Sequence, residues 1–281
     1  MQARSASLTR AIVDSVATHE PVRLLDLGTG TGSNIRYLAE RLGGRQQWLA
    51  IDRRADLLAA LPERVAAWAA SRGYETLARN GMCVVRGANL DCEIRTERQN
   101  LGVLRDRRIF QGRHLVTASA LLDLVSEQWL RDLVEHCRTE SALALFSITY
   151  NGRFACEPRE AEDGIVRDLM NRHQKTDKGL GGVAAGPDAA AAAERCFAEA
   201  GYRARRESSD WVLGPAEDAV QRLLIDGWAG AASEIAPGSA AMVADWRARR
   251  LAHVDAGRSA VVVGHDDLAA WPDAATPSAP R

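Results

Sequence analysis

Three glycines at alternate positions, Gly28, Gly30 and Gly32, follow Asp26 in the stretch LLDLGTGTGSN at 24–34. Glycine accepts positive φ and lets a ligand approach the backbone without meeting a Cβ. Apolar Val22, Leu24, Leu25 and Leu27 lead into the turn, and Ile35, Leu38, Ala39 and Leu42 recur behind it at helical spacing. The pattern is strand, tight turn, helix start, and the free N–H groups of a helix start suit a polar or anionic ligand. The chemistry is that of a nucleotide site. Its first candidate residues are Asp26, Gly28, Thr29, Gly30 and Gly32.

A phosphate-cradling GxxxxGK[ST] loop needs a lysine, and none follows Gly32. A dinucleotide GxGxxG turn needs a sixth-position glycine, where Ser33 stands. The spacing found, D-x-G-x-G-x-G, resembles the first motif of class I S-adenosylmethionine-dependent methyltransferases. The resemblance covers roughly residues 20–265 and implies a turn running beneath the methionine and ribose parts of S-adenosyl-L-methionine. Asp52 ends the second strand, 26 residues after Asp26, where a carboxylate can accept both ribose hydroxyls. Asn100, in RQNLG, stands where the family often carries an acid that reads the adenine amino group. Its neutral carbonyl accepts that hydrogen bond more weakly. Ser119 lies where the family passes close to the cofactor.

Methyl transfer from a sulfonium is an in-line displacement that needs positioning and water exclusion. A base is required only where the acceptor loses a proton. Ligands of open α/β sheets gather beyond the carboxyl ends of the strands. Tyr150, just past the fifth strand, and Trp211, in SDWVL, have that address as substrate contacts. Asp123, in TASALLDLVSE, either faces the acceptor or caps the turn ahead of Ser126. The same stretch lacks the [DN]PP[YFW] signature of amino-methylating enzymes, which argues against a nucleobase acceptor. The segment NRHQKTDKGLGG (171–182) crowds His173, Lys175, Asp177 and Lys178 ahead of Gly179, Gly181 and Gly182. It reads as a glycine-hinged lid, with His173 and Asp177 as base or orienting pair and Lys178 meeting an anionic substrate group. A solvated surface loop is the plainer reading. HQxxDKG, SDW and GHDD together resemble a group of bacterial class I methyltransferases with no settled substrate.

Alternating β and α segments imply a doubly wound, mostly parallel α/β sheet with helices on both faces. The resemblance adds seven strands, the last antiparallel at one edge beside the strand ending at Leu213. Residues 1–20 carry a helix with Leu8, Ile12 and Val16 four apart, packed on the core, and residues 21–272 form the methyltransferase-like domain. Within it, QQWLAID (46–52) is the second strand, and 82–101 holds two short strands about a turn at Gly87–Asn89. HLVTASALLDLV (114–125) and SALALFSIT (141–149) read as strands covered on both faces. Pro62 is expected to kink or split the helix that carries Leu57 to Trp68. Residues 152–188 read as a lid-like insertion and 214–257 as a helical one. SAVVVGH (259–265) is the last strand, and 273–281 a disordered tail.

The 281 residues are 46% apolar, enough for the core of one large domain, and Lys+Arg 36 balance Asp+Glu 37. That balance gives no general pull toward nucleic acid or anionic membrane. MQARSASLTR lacks the apolar core of a signal peptide, and no apolar run approaches a membrane span. Five cysteines without a CxxC pair argue against a disulfide framework or zinc knuckle, so a reducing cytoplasm and no metal are expected. The expected partner is a small polar metabolite. Two rivals stay open. Six arginines within 95–113, with Arg203, Arg205, Arg206 and Arg247, Arg249, Arg250, would serve an RNA or other nucleic-acid methyltransferase if they converge on the cofactor cleft. The other rival binds S-adenosylmethionine without catalysis. Nothing in the sequence bears on oligomeric state.

Overall fold

The apolar lead into the glycine turn is a strand, β1 (Val22–Leu27), at the centre of the sheet. Leu24 enters one hydrophobic core while Leu25 and Leu27 enter another on the opposite face. Coverage on both sides is why its sequence shows no polar alternation. The structure is a computed structural model describing residues 3–79 and 81–273. The tail expectation falls on 274–281, outside the described residues; the Asp273 N–H donates to the Gly201 carbonyl at 3.2 Å.

Running parallel to β1 are β2 (Gly44–Asp52), β5 (Leu90–Arg98), β6 (Leu115–Ser119) and β7 (Leu143–Glu157). At one edge β3 (Glu75–Arg79) and β4 (Met82–Gly87) add an antiparallel meander to β5. At the other, β10 (Ala260–Pro272) runs antiparallel to β7, β8 (Tyr202–Ser208) and β9 (Trp211–Leu213). The order is β3-β4-β5-β2-β1-β6-β7-β10-β8, with β9 paired to β10. The expected antiparallel edge is present, Val261 pairing with Leu213 and Val263 with Trp211. The seven-stranded sheet is there, widened to ten strands by β3, β4 and β9.

On one face lie α1 (Ala6–Val16), α2 (Ser33–Leu42) and α3 (Ala55–Ser71), and on the other α4 (Glu127–Glu140) and α6 (Ala189–Glu199). A third core joins α5 (Asp163–Gln174), α7 (Asp218–Ile235) and α8 (Ala240–Asp255) to the outer halves of β7 and β10. Trp228 and Trp246 are core residues of this lobe, Trp228 stacking on Phe154 at 4.1 Å. Among the described residues no helix is long and apolar enough to cross a membrane.

Four expectations need correction. Pro62 does not split its helix, since α3 runs unbroken from Ala55 to Ser71. The strand expected over 114–125 stops at Ser119, and Leu122–Leu124 form a single helical turn. Residues 152–157 extend β7, and α5 follows, its Val166, Leu169 and Met170 forming a buried stripe at helical spacing. The last strand continues through Asp266 and Asp267 to Pro272. Two adjacent acids read as a strand end, yet both carboxylates have buried polar partners there.

Candidate active site

All three turn glycines adopt left-handed φ, +66° at Gly28, +55° at Gly30 and +78° at Gly32, the region that favours this residue. A Cβ at Gly28 would meet Leu121 at 3.3 Å and one at Gly32 would meet Leu61 at 3.2 Å. At Gly30 nothing lies within 4 Å. Gly30 therefore opens onto free space beyond the carboxyl end of β1. The turn is anchored by Asp52 at the end of β2, whose two oxygens accept the N–H groups of Gly30 (2.8 Å) and Arg54 (2.9 Å). The Thr29 N–H donates to the Ile51 carbonyl at 2.9 Å, and the residue is buried.

Asp26 lies beneath the turn rather than in the opening, with 0% exposure. Its Oδ1 accepts from Asn34 Nδ2 and Thr117 Oγ1, both at 2.7 Å, and its Oδ2 has no partner. Burial pushes this carboxyl above its ordinary value, opposed by the Asn34 and Thr117 hydrogen bonds. Asn34 in turn accepts from Arg4, whose other terminal nitrogen donates to Ser119 Oγ at 3.1 Å. Ser119 is thus held from the segment ahead of α1. Asn100 is exposed, and its Oδ1 accepts the Gly102 N–H at 2.9 Å within its own turn.

Two non-glycine residues take left-handed φ where the β6–β7 pairing ends, Ala120 (+54°) after β6 and Ile148 (+59°) within β7. Such conformations cost about 1–3 kcal/mol for ordinary residues and concentrate at working sites. Ala120 is fixed by its N–H to the Ser147 carbonyl at 2.9 Å, and Ile148 by its N–H to Asp267 Oδ1 at 2.8 Å. Asp123 sits beside them, buried, its carboxyl pushed up to about 6 by desolvation against backbone N–H groups at Asp123 and Tyr150. The Tyr150 hydroxyl donates to Asn171 Oδ1 at 2.9 Å, and burial pushes its pKa above the ordinary value. Opposite Tyr150 in register lies His265, its ring 4.9 Å from that of Trp211, with Nδ1 unpartnered and its pKa lowered to about 4 by burial. Asp123, Tyr150 and Trp211 are therefore gathered with His265 near one end of the sheet.

The 171–182 segment meets this group through Asn171 at its start and then runs away from it. Leu180 is buried in the core, and its carbonyl accepts the Ser126 N–H at 3.0 Å. The Gly179 carbonyl packs against Gly102, which brings the loop over the turn that holds Asn100. His173, in the last turn of α5, has Nε2 on Glu234 of α7 and Nδ1 on Lys178 Nζ, each at 3.2 Å. Burial lowers the Lys178 pKa. Asp177 is exposed and accepts the Gly179 N–H at 2.7 Å. His173 and Lys178 form one group facing α7, separate from Asp123 and Tyr150.

Sequence reasoning missed Arg4, Asn34, Thr117 and Asp267 as parts of this site. Thr117 left a signal, a polar residue inside the otherwise apolar run HLVTASALL; Asn34, Asp267 and Arg4 left none. The two smaller arginine clusters are largely matched by carboxylates, Arg205 on Glu207, Arg206 on Glu194 and Asp266, Arg247 on Asp226, Arg249 on Glu160 and Arg250 on Asp163, whereas within 95–113 only Arg108, on Asp106, has such a partner among the described residues. Arg113 precedes β6, at the end opposite Ser119. Arg98 does reach the rim, where its Nε donates to the Arg53 carbonyl at 3.2 Å.

The parallel strands β5-β2-β1-β6-β7, the antiparallel β10 and the glycine turn closing β1 form the doubly wound, mostly parallel sheet with an antiparallel edge that the sequence resemblance implied. No protein-family model and no curated protein matches the chain. Among solved structures, the YcgJ protein of Bacillus subtilis is 11% identical, covering 95% of this chain and 99% of that one at TM-score 0.47. A mycolic acid cyclopropane synthase solved with SAH and CTAB is 10% identical, covering 93% and 83% at TM-score 0.46. A methyltransferase of Geobacter sulfurreducens solved with S-adenosyl-L-homocysteine is 13% identical, covering 96% and 92% at TM-score 0.43. Likeness at this level carries no argument about activity.

The residues fit a nucleoside that bears an amino acid. Gly30 is a cradle that any Cβ would narrow, Asp52 stands at one end of the turn, and a half-buried cation, Arg4, stands at the other.

Proposed function

We propose that the chain binds S-adenosyl-L-methionine at the glycine turn and transfers its methyl group to a small polar metabolite. The observation that carries this reading is Gly30, left-handed, open on its free side and tied through its N–H to Asp52 at 2.8 Å. When bound, the cofactor supplies a methyl group on a positively charged sulfur. The residues position it and exclude water. Gly28, Thr29, Gly30 and Gly32 pass beneath the methionine and ribose, over the buried support of Asp26. Each Asp52 oxygen keeps lone-pair capacity beyond its backbone bond and accepts from the ribose hydroxyls. Asn100 accepts from the adenine amino group, and Ser119 borders the methionine end.

On the acceptor side, Asp123 takes the proton of a hydroxyl or ammonium acceptor. A carboxyl near pH 6 suits a base working close to neutrality. Tyr150, oriented by Asn171, and Trp211, seated on His265, bound the space for the acceptor. The 171–182 loop covers the adenine side, where Asp177 shapes the loop and the His173–Lys178 group meets an anionic part of the substrate. Carboxylates match most of the arginines of 203–206 and 247–250, so within these clusters the free positive charge that the nucleic-acid reading needs is largely confined to 95–113.

Calorimetric titration with S-adenosylmethionine and with its demethylated product tests the cofactor; heat from neither overturns the reading. Screening polar metabolites for methyl uptake tests the acceptor. Uptake into RNA alone would establish the nucleic-acid alternative, and tight binding with no uptake the non-catalytic one.

A further inference from the structure

The segment ahead of α1 reaches across the sheet to the glycine turn. Ser5 is the N-cap of α1, and its N–H donates to Asp267 Oδ2 at 2.8 Å. Its hydroxyl and that of Ser7 both meet Glu207 on β8. These anchors bring Arg4 to the opening. One terminal nitrogen of Arg4 donates to Asn34, in the first turn of α2, and the other to Ser119 at 3.1 Å. Ala118 is in register with Leu27, so Ser119 lies alongside Gly28. The guanidinium therefore spans the turn from its β6 side to the start of α2, and it also faces the Tyr37 ring at 4.4 Å.

Arg4 is half-buried, yet it forms no ion pair with any described residue; its hydrogen-bond partners are an amide and a hydroxyl. Guanidinium has five donors in a fixed fork suited to a carboxylate, and neutral partners use only part of them. Asp267 and Asp26 offset part of the desolvation of Arg4 from a distance, but neither carboxylate meets the fork, and a carboxylate bound directly to it restores the remaining cost. We propose that Arg4 holds the amino-acid carboxylate of S-adenosylmethionine, making residues 3–5 a strap that completes the cofactor site. This rests on the cofactor assignment above. It sets a charge at the methionine end of the turn, opposite Asp52, so the two ends read opposite chemistries on one ligand.

The test compares two ligands on three proteins. S-adenosylhomocysteine carries the carboxylate, and methylthioadenosine keeps the nucleoside but lacks the amino acid. Arg4→Gln is expected to weaken the first by about tenfold to a hundredfold, the range for charge-assisted hydrogen bonds, and to leave the second unchanged. Arg4→Lys, which keeps the charge, is expected to fall between parent and Arg4→Gln. Methylthioadenosine binding also reports that each variant is folded. Equal weakening of both ligands would make the strap a structural clamp and overturn the proposal, as would no change in either. If the parent binds neither ligand, the cofactor assignment itself falls, an outcome visible before any variant is made.

Discussion

Asp267 and Ile148 meet across the β7–β10 pairing: the buried carboxylate accepts the N–H of a β-branched residue held at φ +59°. The same carboxylate accepts the Ser5 N–H at 2.8 Å and the Ser209 hydroxyl at 2.7 Å. One side chain thus secures the strap on one side of the opening and the strained strand on the other. Asp267→Ala leaves two backbone donors unsatisfied and should lower stability in urea melts by about 1–3 kcal/mol per orphaned group. It should also weaken cofactor binding through the loosened strap. A loss below about 0.5 kcal/mol, the range of ordinary surface changes, would deny Asp267 this role.

Gly30 and Gly32 allow a contrast within one turn. Both are left-handed, so alanine at either should lower stability by roughly 1–2 kcal/mol. Only at Gly30 does the new side chain enter open space beside the ligand path, since at Gly32 it meets Leu61. Gly30→Val should therefore abolish S-adenosylmethionine binding in calorimetry, while Gly32→Ala keeps much of it. Equal binding by both would place the ligand elsewhere.

Asp123 predicts a pH profile. With its carboxyl pushed up to about 6, turnover should rise with pH through that value as the base loses its proton. Asp123→Asn should cut turnover by roughly 10²–10⁴ and remove that limb, with cofactor affinity retained. A surviving acid limb would assign the titration to another group.

His265 bears on stability. Its folded pKa, about 4, is depressed by burial below the ordinary 6.5, so the unfolded chain binds the extra proton first. The stability this contributes is present above pH 6.5 and is lost as pH falls toward 4, a change of the order of 3 kcal/mol. His114, held low by burial and by His19, Arg23 and Arg113, titrates in the same window. Comparing His265→Gln with the parent isolates the buried ring. Unfolding free energies that track each other from pH 7 to 4 would contradict the assignment.

The 171–182 loop is seated by Gly181, where a Cβ would stand 2.7 Å from Ser126 Oγ in a left-handed backbone. Gly181→Ala should lift the loop and speed tryptic cleavage at Lys175 and Lys178 under native conditions. Unchanged cleavage would mean that Leu180 alone holds it.

Backbone geometry explains what was legible. The glycine turn and Asp52 could be read because positive φ demands one residue type and a strand-end acid has few other reasons to exist. The antiparallel edge followed from the late strand, helices and strand. Asp267 was obscured because its partners, Ser5 and Ile148, lie far away in sequence, and an isolated Asp-Asp pair looks like a turn. Arg4 was invisible for the same reason, since its meaning comes only from Asn34 and Ser119. Helix α5 was hidden by polar residues around a stripe of only three buried apolar ones.

The long strands β7 and β10 belong to two bodies at once. Leu145, Phe146, Leu268 and Ala270 lie in the cores flanking the sheet, whereas Phe154, Cys156, Val261 and Val263 lie in the lobe of α5, α7 and α8. The ladder joining the two strands is irregular between Val263 and His265 and again between Asp266 and Leu268. A break in a ladder bends the strand and increases its local twist. The sheet and the outer lobe therefore share one backbone junction, and His265 and Ile148 stand at it, beside Tyr150.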